Sequence, residues 1–310
     1  MLAAVFPGQG SQSIGMMADF YNASDEVKNL FDEASSILGY DLWKLIQSGS
    51  EEKLNKTIYT QPAMLVSGVA AWSYFKLHFN ISPNLMAGHS LGEYSALVCS
   101  GTLKFSDAVY IVKNRAEYMQ NAVPKNMGAM AAIIGLDDDA VVKLCVEAQG
   151  NDVVSAANYN APNQVVIAGH KLAVERAIKL SKKFGAKRAI LLKVSIPSHC
   201  VLMDSASKKL RNLLKTMNFD NFSVPVLSNV DVKAYQNQSH LVESLSNQVC
   251  KPVRWVETIQ YFKDQGIKIC IEFGPGGVLS GLCRRIDSSI KVIRYDSIDA
   301  CKEVKEENLK

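Results

Sequence analysis

The stretch LMAGHSLGEYSAL, Leu85 to Leu97, limits what this chain can fold into more than any other. The strand-like run NLMAG passes through Gly88-His89-Ser90-Leu91-Gly92, at the spacing G-x-S-x-G, into a helical pattern. That pattern stops near Gly101, a residue able to take a left-handed helix cap. A strand, a tight turn and a helix in that order form a unit of α/β folds, and glycines flanking the turn remove side chains that would collide at the bend. Ser90 has two readings there: a nucleophile raised on a sharp elbow, or a hydroxyl capping the helix. The helix N-terminus favours the elbow, because its unpaired backbone N–H groups, that of Leu91 among them, face any oxyanion developing beside the serine.

Strand-like and helix-like stretches alternate through the neighbouring sequence as well. MLAAVFPGQG opens with a buried strand ending in a turn, and lacks the basic start of a signal peptide. DEVKNLFDEASSIL and QPAMLVSGVAAWSYFKLHF carry helical periodicity, with Pro62 expected in the first turn of the second. FSDAVYIVKNRAEYMQNAV is a further helix, with Ser106 as its expected N-cap and Phe105 with Tyr110 as a hydrophobic staple. From about Asn126 the texture changes. GAMAAIIGL, DDDAVVKLCVEAQ, DVVSAANYNA, NQVVIAGH, LAVERAIKLSKKFG and RAILLKVS follow one another as strand, helix, strand, strand, helix, strand. This βαββαβ order is that of a ferredoxin-like unit, and its length suits a compact insert. After Pro197 the chain returns to the larger body with a helix at VLMDSASKKLRNLL, a strand at PVLSNV, a helix at WVETIQYFKDQG and strands at IKICIEFG and KVIRY. The last ten residues are charged and expected to fray.

Composition narrows the function. A net charge of +4 over 310 residues is too small to imply nucleic-acid binding, and no run of about eighteen apolar residues is present to span a membrane. The seven cysteines are scattered with no C-x-x-C pair, which argues against a disulfide framework and a zinc site, and for a cytoplasmic protein. GQGSQ lacks the third glycine of G-x-G-x-x-G and the Gly-Lys-Ser/Thr of a P-loop, which disfavours a phosphate cradle. FGPGG, Phe273 to Gly277, reads as a tight turn.

A serine hydroxyl needs a base, and the chain offers five histidines. His89 adjoins the serine, where its side chain would point away. His78 lies on a helical pattern, and His170 and His240 sit among polar loop or helix-start residues. His199 stands apart in VSIPSHC, where a strand ends and a proline breaks it at the return to the large body. A loop at such a junction is where a base can reach across a cleft.

Seven motifs together carry a resemblance: FPGQGSQ at Phe6 to Gln12, GHSLGEYSAL at Gly88 to Leu97, NRAEYMQ at Asn114 to Gln120, NYNAPNQVVIAG at Asn158 to Gly169, IPSH at Ile196 to His199, NQVCKPVRW at Asn247 to Trp255 and EFGPGGVLSGL at Glu272 to Leu282. In order and spacing, over nearly the whole chain, they resemble the malonyl-CoA:acyl carrier protein transacylases of fatty-acid synthesis. The resemblance implies a large α/β-hydrolase-like domain with a parallel sheet core, residues 1–125 and 197–310, and an inserted ferredoxin-like domain, residues 126–196. It further implies Ser90 as the nucleophile that takes the malonyl group as an ester, and His199 as its general base. Arg115 would bind the malonyl carboxylate, and Gln9 and Leu91 would supply the oxyanion-hole N–H groups. Gln248 would orient His199 through its backbone carbonyl in place of a triad carboxylate, and Met119 and Asn160 match pocket positions. It implies no metal or cofactor, with malonyl-CoA as substrate, acyl carrier protein as acidic partner, and a monomer. Ser198 matches the pattern of malonyl-preferring members.

The residue order leaves a serine esterase or thioesterase open, because Asp107, Asp137 to Asp139 and Asp152 all lie between Ser90 and His199 as an α/β-hydrolase would place its acid. A non-catalytic acyl-binding protein is disfavoured, since nucleophile, base and carboxylate binder are all present. An acidic carrier would find candidate contacts at Lys182, Lys183, Lys187, Arg188, Arg284 and Arg285.

Overall fold

A computed structural model of the chain describes residues 1–194, 196–220, 222–302 and 304. Its strands, in chain order, are β1 (Leu2–Phe6), β2 (Leu85–Gly88), β3 (Gly128–Ile134), β4 (Val154–Ala161), β5 (Gln164–His170), β6 (Arg188–Leu191), β7 (Val226–Leu227), β8 (Ile269–Phe273) and β9 (Lys291–Tyr295). They form two sheets. One is parallel, in the order β7-β2-β1-β8-β9; the other is antiparallel, in the order β4-β5-β3-β6. The fold is therefore mixed α/β, with a parallel core and a separate antiparallel sheet.

The apolar run LAAVF explains the centre of the parallel sheet. Every residue of β1 is buried, and alternation along the strand sends Leu2, Ala4 and Phe6 into one core and Ala3 and Val5 into another. A strand covered on both faces needs apolar residues on both, which is the usual demand of a parallel sheet. The helix Thr57–His78 lies across the first face. Its Phe75 meets Phe273 edge-on at 5.1 Å and Tyr295 at 5.4 Å, while Phe6 stacks on Phe273. Burying each such ring stabilises by about 1.5–3 kcal/mol. Three fully buried carboxylate acceptor contacts, Leu279 N, Ser280 N and Ser280 Oγ to Glu272, tie β8 to the start of the helix Val278–Ile286.

Several local expectations are met. The helix Asp25–Leu38 has the predicted bounds and is capped by Ser24, and Gly101 takes φ 81° just beyond the helix Gly92–Cys99. Others need correction. Pro62 is not in the first turn: the helix begins at Thr57, and Pro62 is buried in its interior, where packing outweighs the backbone hydrogen bond that proline cannot donate. Ser106 is not an N-cap, because Phe105 packs against the core and starts the helix Phe105–Gln120 one residue earlier, with Lys104 at the cap position. Tyr110 is 47% exposed and closes no staple. The short helices Ala18–Ala23, Leu42–Ser48 and Glu51–Leu54, together with Gln238–Gln248 and Val278–Ile286, went unread in the sequence. At the C-terminal end a 3-10 turn spans Asp299–Lys302 and Val304 is buried, whereas most of the stretch expected to fray lies outside the described residues.

The antiparallel sheet places two helices, Asp138–Gln149 and Lys171–Ser181, over one face. The opposite face, with Met130, Val166 and Ala168, packs on Cys200. Irregular pairing between Ala156 and Asn158 bends β4, and Asn158 then bridges to Val253. This bend brings Asn158 and Asn160 alongside the end of β2.

The turn after β2 is packed backbone against backbone. A Cβ on Gly88 would stand 1.8 Å from the carbonyl carbon of Gly92, and one on Gly92 would stand 2.0 Å from the carbonyl oxygen of Phe6. Backbone lies on both sides, so nothing flexible can yield. Gly88→Ala is expected to lower unfolding free energy by about 3 kcal/mol or more; a urea titration with an unchanged midpoint would contradict the packing described.

Candidate active site

Ser90 sits at the apex of that turn with φ 52°, a left-handed conformation that non-glycine residues rarely adopt. Asn229, just after β7, holds it there. Its Oδ1 accepts from Ser90 N at 2.7 Å, and its Nδ2 donates to Gly88 O at 2.7 Å. The Ser90 hydroxyl does not cap the helix; it lies 2.8 Å from His199 Nε2. His199 also has positive φ, 64°, and its N–H donates to Val249 O at 2.9 Å. Two strained residues meeting across 109 positions of sequence mark a functional site.

The proton positions follow from the partners. His199 Nδ1 lies 2.7 Å from the Gln248 backbone carbonyl, which can only accept. Nδ1 therefore carries the hydrogen, and the Nε2 lone pair faces the Ser90 hydroxyl, which donates to it. Burial, helped by the Arg115 charge, pulls the His199 pKa down to about 3, so the imidazole is neutral through the physiological range, with its Nε2 lone pair free to accept. The other histidines are engaged elsewhere: His89 Nε2 with Asn160 Oδ1 at 2.8 Å, His78 with Tyr74 O, His170 with Asp152, and His240 with Asp231. As the sequence suggested, His89 turns from the serine, and it meets Trp255 edge-on. Asp137 caps a helix and Asp152 pairs with Arg176, so neither is the partner of His199.

Arg115, on the helix Phe105–Gln120, is 1% exposed. Its Nη2 donates to Gln248 Oε1 at 2.9 Å and reaches Ser90 Oγ at 3.4 Å, while Nη1 donates to Gln61 Oε1. Its Nε is buried with no hydrogen-bond partner among the described residues. Burial lowers its pKa, opposed by the Tyr94 and Glu93 side chains. A guanidinium held by two neutral amide oxygens, with a donor to spare, is poised to take a carboxylate.

A cavity of about 170 Å³ unites these groups. Its lining includes Gln9, Gln61, Ser90, Leu91, Arg115, Met119, Asn160 and His199. Leu91 precedes the first turn of its helix, where backbone N–H groups have no intrahelical acceptor. The loop carrying Gln9 presses against the elbow so closely that a Cβ on Gly8 would stand 2.4 Å from His89 O. Met119 receives a hydrogen bond from Gln61 Nε2 through its sulfur at 3.6 Å. Ser90, His199, Gln9, Leu91, Arg115, Met119 and Asn160 thus all line this cavity, and Gln248 touches its walls.

Three residues that the sequence reading passed over belong to the same cluster. Gln61 fixes one end of Arg115, and Asn229 fixes the elbow. Glu93 is fully buried below both, accepting from Asn229 N at 3.1 Å, from Gln248 Nε2 at 2.8 Å and from the Tyr235 hydroxyl. Burial pushes the Glu93 pKa up to about 7, opposed by those hydrogen bonds and by Arg115. The one signal for Glu93 was a charged residue in an otherwise apolar helix, GEYSALVC.

Geometry of this kind belongs to enzymes that move acyl groups, and the comparisons agree. The acyl transferase domain family matches residues 4–295, and the chain belongs to that family. Among its relatives, the malonyl CoA-acyl carrier protein transacylase of Escherichia coli is 52% identical over 92% of both chains, and that of Haemophilus influenzae is 48% identical over 98% of both. A solved acyl carrier protein S-malonyltransferase from Vibrio cholerae superposes with a TM-score of 0.95 at 47% identity, covering 98% of this chain and 99% of that one. A malonyl-transacylase solved in complex with a type II PKS acyl-carrier protein superposes at 0.97, also at 47% identity, over 99% of both.

The depressed His199 pKa has a measurable consequence. Below pH 6.5 the unfolded chain protonates this histidine while the folded one does not until about pH 3, so stability falls as pH drops through that window. His89, also lowered by burial, acts in the same sense; Glu93, raised, instead loses stability as pH climbs from 4.5 to about 7. Replacing His199→Gln should remove up to one proton, about 1.4 kcal/mol per pH unit, from the slope of unfolding free energy between pH 4 and 6. An identical slope in both proteins would mean that His199 is protonated when folded.

Proposed function

We propose that the chain transfers the malonyl group of malonyl-CoA to the phosphopantetheine thiol of acyl carrier protein, through an ester on Ser90, and so supplies malonyl-loaded carrier for fatty-acid synthesis. The observation that carries this reading is the buried Arg115 guanidinium 3.4 Å from Ser90 Oγ: an acyl group esterified there would place a terminal carboxylate within its reach. The names of the relatives support the same substrates, and the complex with a carrier protein supports the partner.

In this scheme Ser90 Oγ attacks the thioester carbonyl as its proton passes to His199 Nε2. The tetrahedral oxyanion is met by the backbone N–H groups of Gln9 and Leu91. Collapse breaks the carbon–sulfur bond, and His199 returns the proton to the departing CoA sulfur. The carrier thiol then gives its proton to His199, attacks the ester and releases Ser90. A thioester is already activated, so a neutral histidine oriented by a backbone carbonyl suffices without a buried acid. No metal or cofactor enters any step. Gln248 acts as the orienting residue, and Met119 and Asn160 shape the pocket.

The cavity at Ser90 is large enough for a malonyl group, and the pantetheine arm must lie outside it. A second cavity, of about 590 Å³, shares Leu192 and Val194 with the first and is lined by Lys56, Lys171 and Lys193 together with Glu51 and Glu52, the last paired with Lys56 at 3.4 Å. We assign the arm to it because it adjoins the acyl pocket, with Lys193, in no ion pair among the described residues, as the phosphate contact. Arg188 begins β6, about 13 Å of strand from Leu192, and Lys182, Lys183 and Lys187 precede it, a basic edge suited to an acidic carrier. Arg285 is partly committed inside the chain, to Gln164 Oε1 and Pro162 O, and Arg284 leans toward Val292 O.

The same reading makes the antiparallel unit, residues 126–196, a ferredoxin-like insert, supported by its βαββαβ order and the sheet order β4-β5-β3-β6. Residues 1–125 and 197–310 form the α/β-hydrolase-like body, supported by the parallel sheet and the elbow after β2. Scattered cysteines, of which the six described are free, suit a cytoplasmic enzyme, and we take it to act as a monomer. Among the described residues no helix is long and apolar enough to cross a membrane.

Labelled malonyl-CoA should leave its label on the Ser90 peptide, and Ser90→Ala should abolish it. Arg115→Ala should cost malonyl transfer about 3 kcal/mol or more, above a hundredfold, and acetyl transfer far less. Free malonate released as fast without carrier protein as with it would make the enzyme a thioesterase instead.

A further inference from the structure

We infer that Glu93 is a positioning residue for malonyl selection: its carboxylate dictates which end of the Gln248 side-chain amide faces Arg115, and so keeps the guanidinium oriented toward the acyl pocket. The inference rests on the reading of Arg115 as the group that binds the malonyl carboxylate.

Glu93 Oε2 accepts from the Asn229 backbone N–H, which can only donate, so that oxygen is an acceptor in either ionisation state of the carboxyl. Glu93 Oε2 lies 2.8 Å from Gln248 Nε2, so the amide must turn its NH₂ group toward Glu93. The second hydrogen of that NH₂ goes to the Ser90 carbonyl at 2.9 Å. Both donors are then spent on the elbow, and Gln248 Oε1 is left facing Arg115 Nη2 at 2.9 Å. Turned the other way, the amide would set N–H groups against the guanidinium, donor against donor.

The arrangement separates two requirements that a direct ion pair would merge. Within the buried cluster Glu93 compensates the Arg115 charge through one intervening amide, with no Glu93–Arg115 contact among the ion pairs of the described residues. Arg115 is thereby steadied by neutral oxygens of Gln248 and Gln61 and keeps its charge for an incoming carboxylate. Asn229 N and the Tyr235 hydroxyl hold Glu93 from the opposite side, from the segment that also pins Ser90.

The test compares kcat/KM for malonyl-CoA and acetyl-CoA in the folded, full-length enzyme. Glu93→Leu keeps much of the volume but removes the acceptor and frees the Gln248 amide to reverse, and the malonyl-to-acetyl ratio should fall about tenfold or more. Glu93→Asp, still an acceptor only, should restore part of that ratio. An unchanged ratio, or equal losses with both substrates, would assign Glu93 a purely structural role and overturn the inference. Should Glu93→Leu fail to fold, Gln248→Leu removes the acceptor that faces Arg115 while leaving the backbone carbonyl for His199, and an unmoved ratio there overturns the inference as well. Arg115→Ala runs in parallel. If it too leaves the ratio unmoved, the malonyl-binding reading of Arg115 has failed; if it lowers the ratio while Glu93→Leu does not, the Glu93 relay alone has failed.

Discussion

The hydrogen bond from the Ser90 hydroxyl to His199 Nε2, 2.8 Å long, is the constraint on which the rest of the structure turns. Neither residue reaches it in a relaxed backbone conformation: both have positive φ, at a cost of about 1–3 kcal/mol each. The surrounding structure has to supply that free energy. Gly88 and Gly92 remove the Cβ atoms that would block the bend, Asn229 clamps the backbone between Gly88 O and Ser90 N, and the Val249 carbonyl holds the His199 amide. The parallel sheet and the crossing helix Thr57–His78 make these supports rigid enough to maintain the strain.

Electrostatics inside the cluster follow from burial. Three ionisable groups, Glu93, Arg115 and His199, share one desolvated region. Water cannot stabilise their charges there, so each charge must be matched by dipoles or by another charge. Arg115 and Glu93 serve each other through the Gln248 amide, and His199 is held neutral by the same desolvation and by the nearby cation. One residue, Gln248, thus serves both halves of the site: its backbone carbonyl sets the histidine tautomer, and its side chain links cation to anion.

How much of this the sequence disclosed depended on the range of the interaction. Ser90 was legible because strand, glycines and helix are neighbours in the chain, and those neighbours alone impose the turn. His199 emerged by elimination among five histidines together with its place at a junction. Arg115 looks like any helix arginine until the fold buries it, so only the family resemblance singled it out, and the same holds for Gln248. Gln61 and Asn229 carried no local mark, and Glu93 only that of a charge in an apolar helix, because their partners lie 54, 139 and 155 residues away. The misplaced helix starts have the same origin: Thr57 and Phe105 begin their helices through tertiary packing, against what Pro62 and Ser106 suggest locally.

The most direct test is a crystal structure of the enzyme trapped after reaction with malonyl-CoA. It should show the acyl carbon bonded to Ser90 Oγ, the ester carbonyl oxygen directed at the N–H groups of Gln9 and Leu91, and the free carboxylate on the Arg115 guanidinium. An acyl chain bound to another residue, or a carboxylate turned to solvent while Arg115 keeps its contacts to Gln61 and Gln248 alone, would contradict the account.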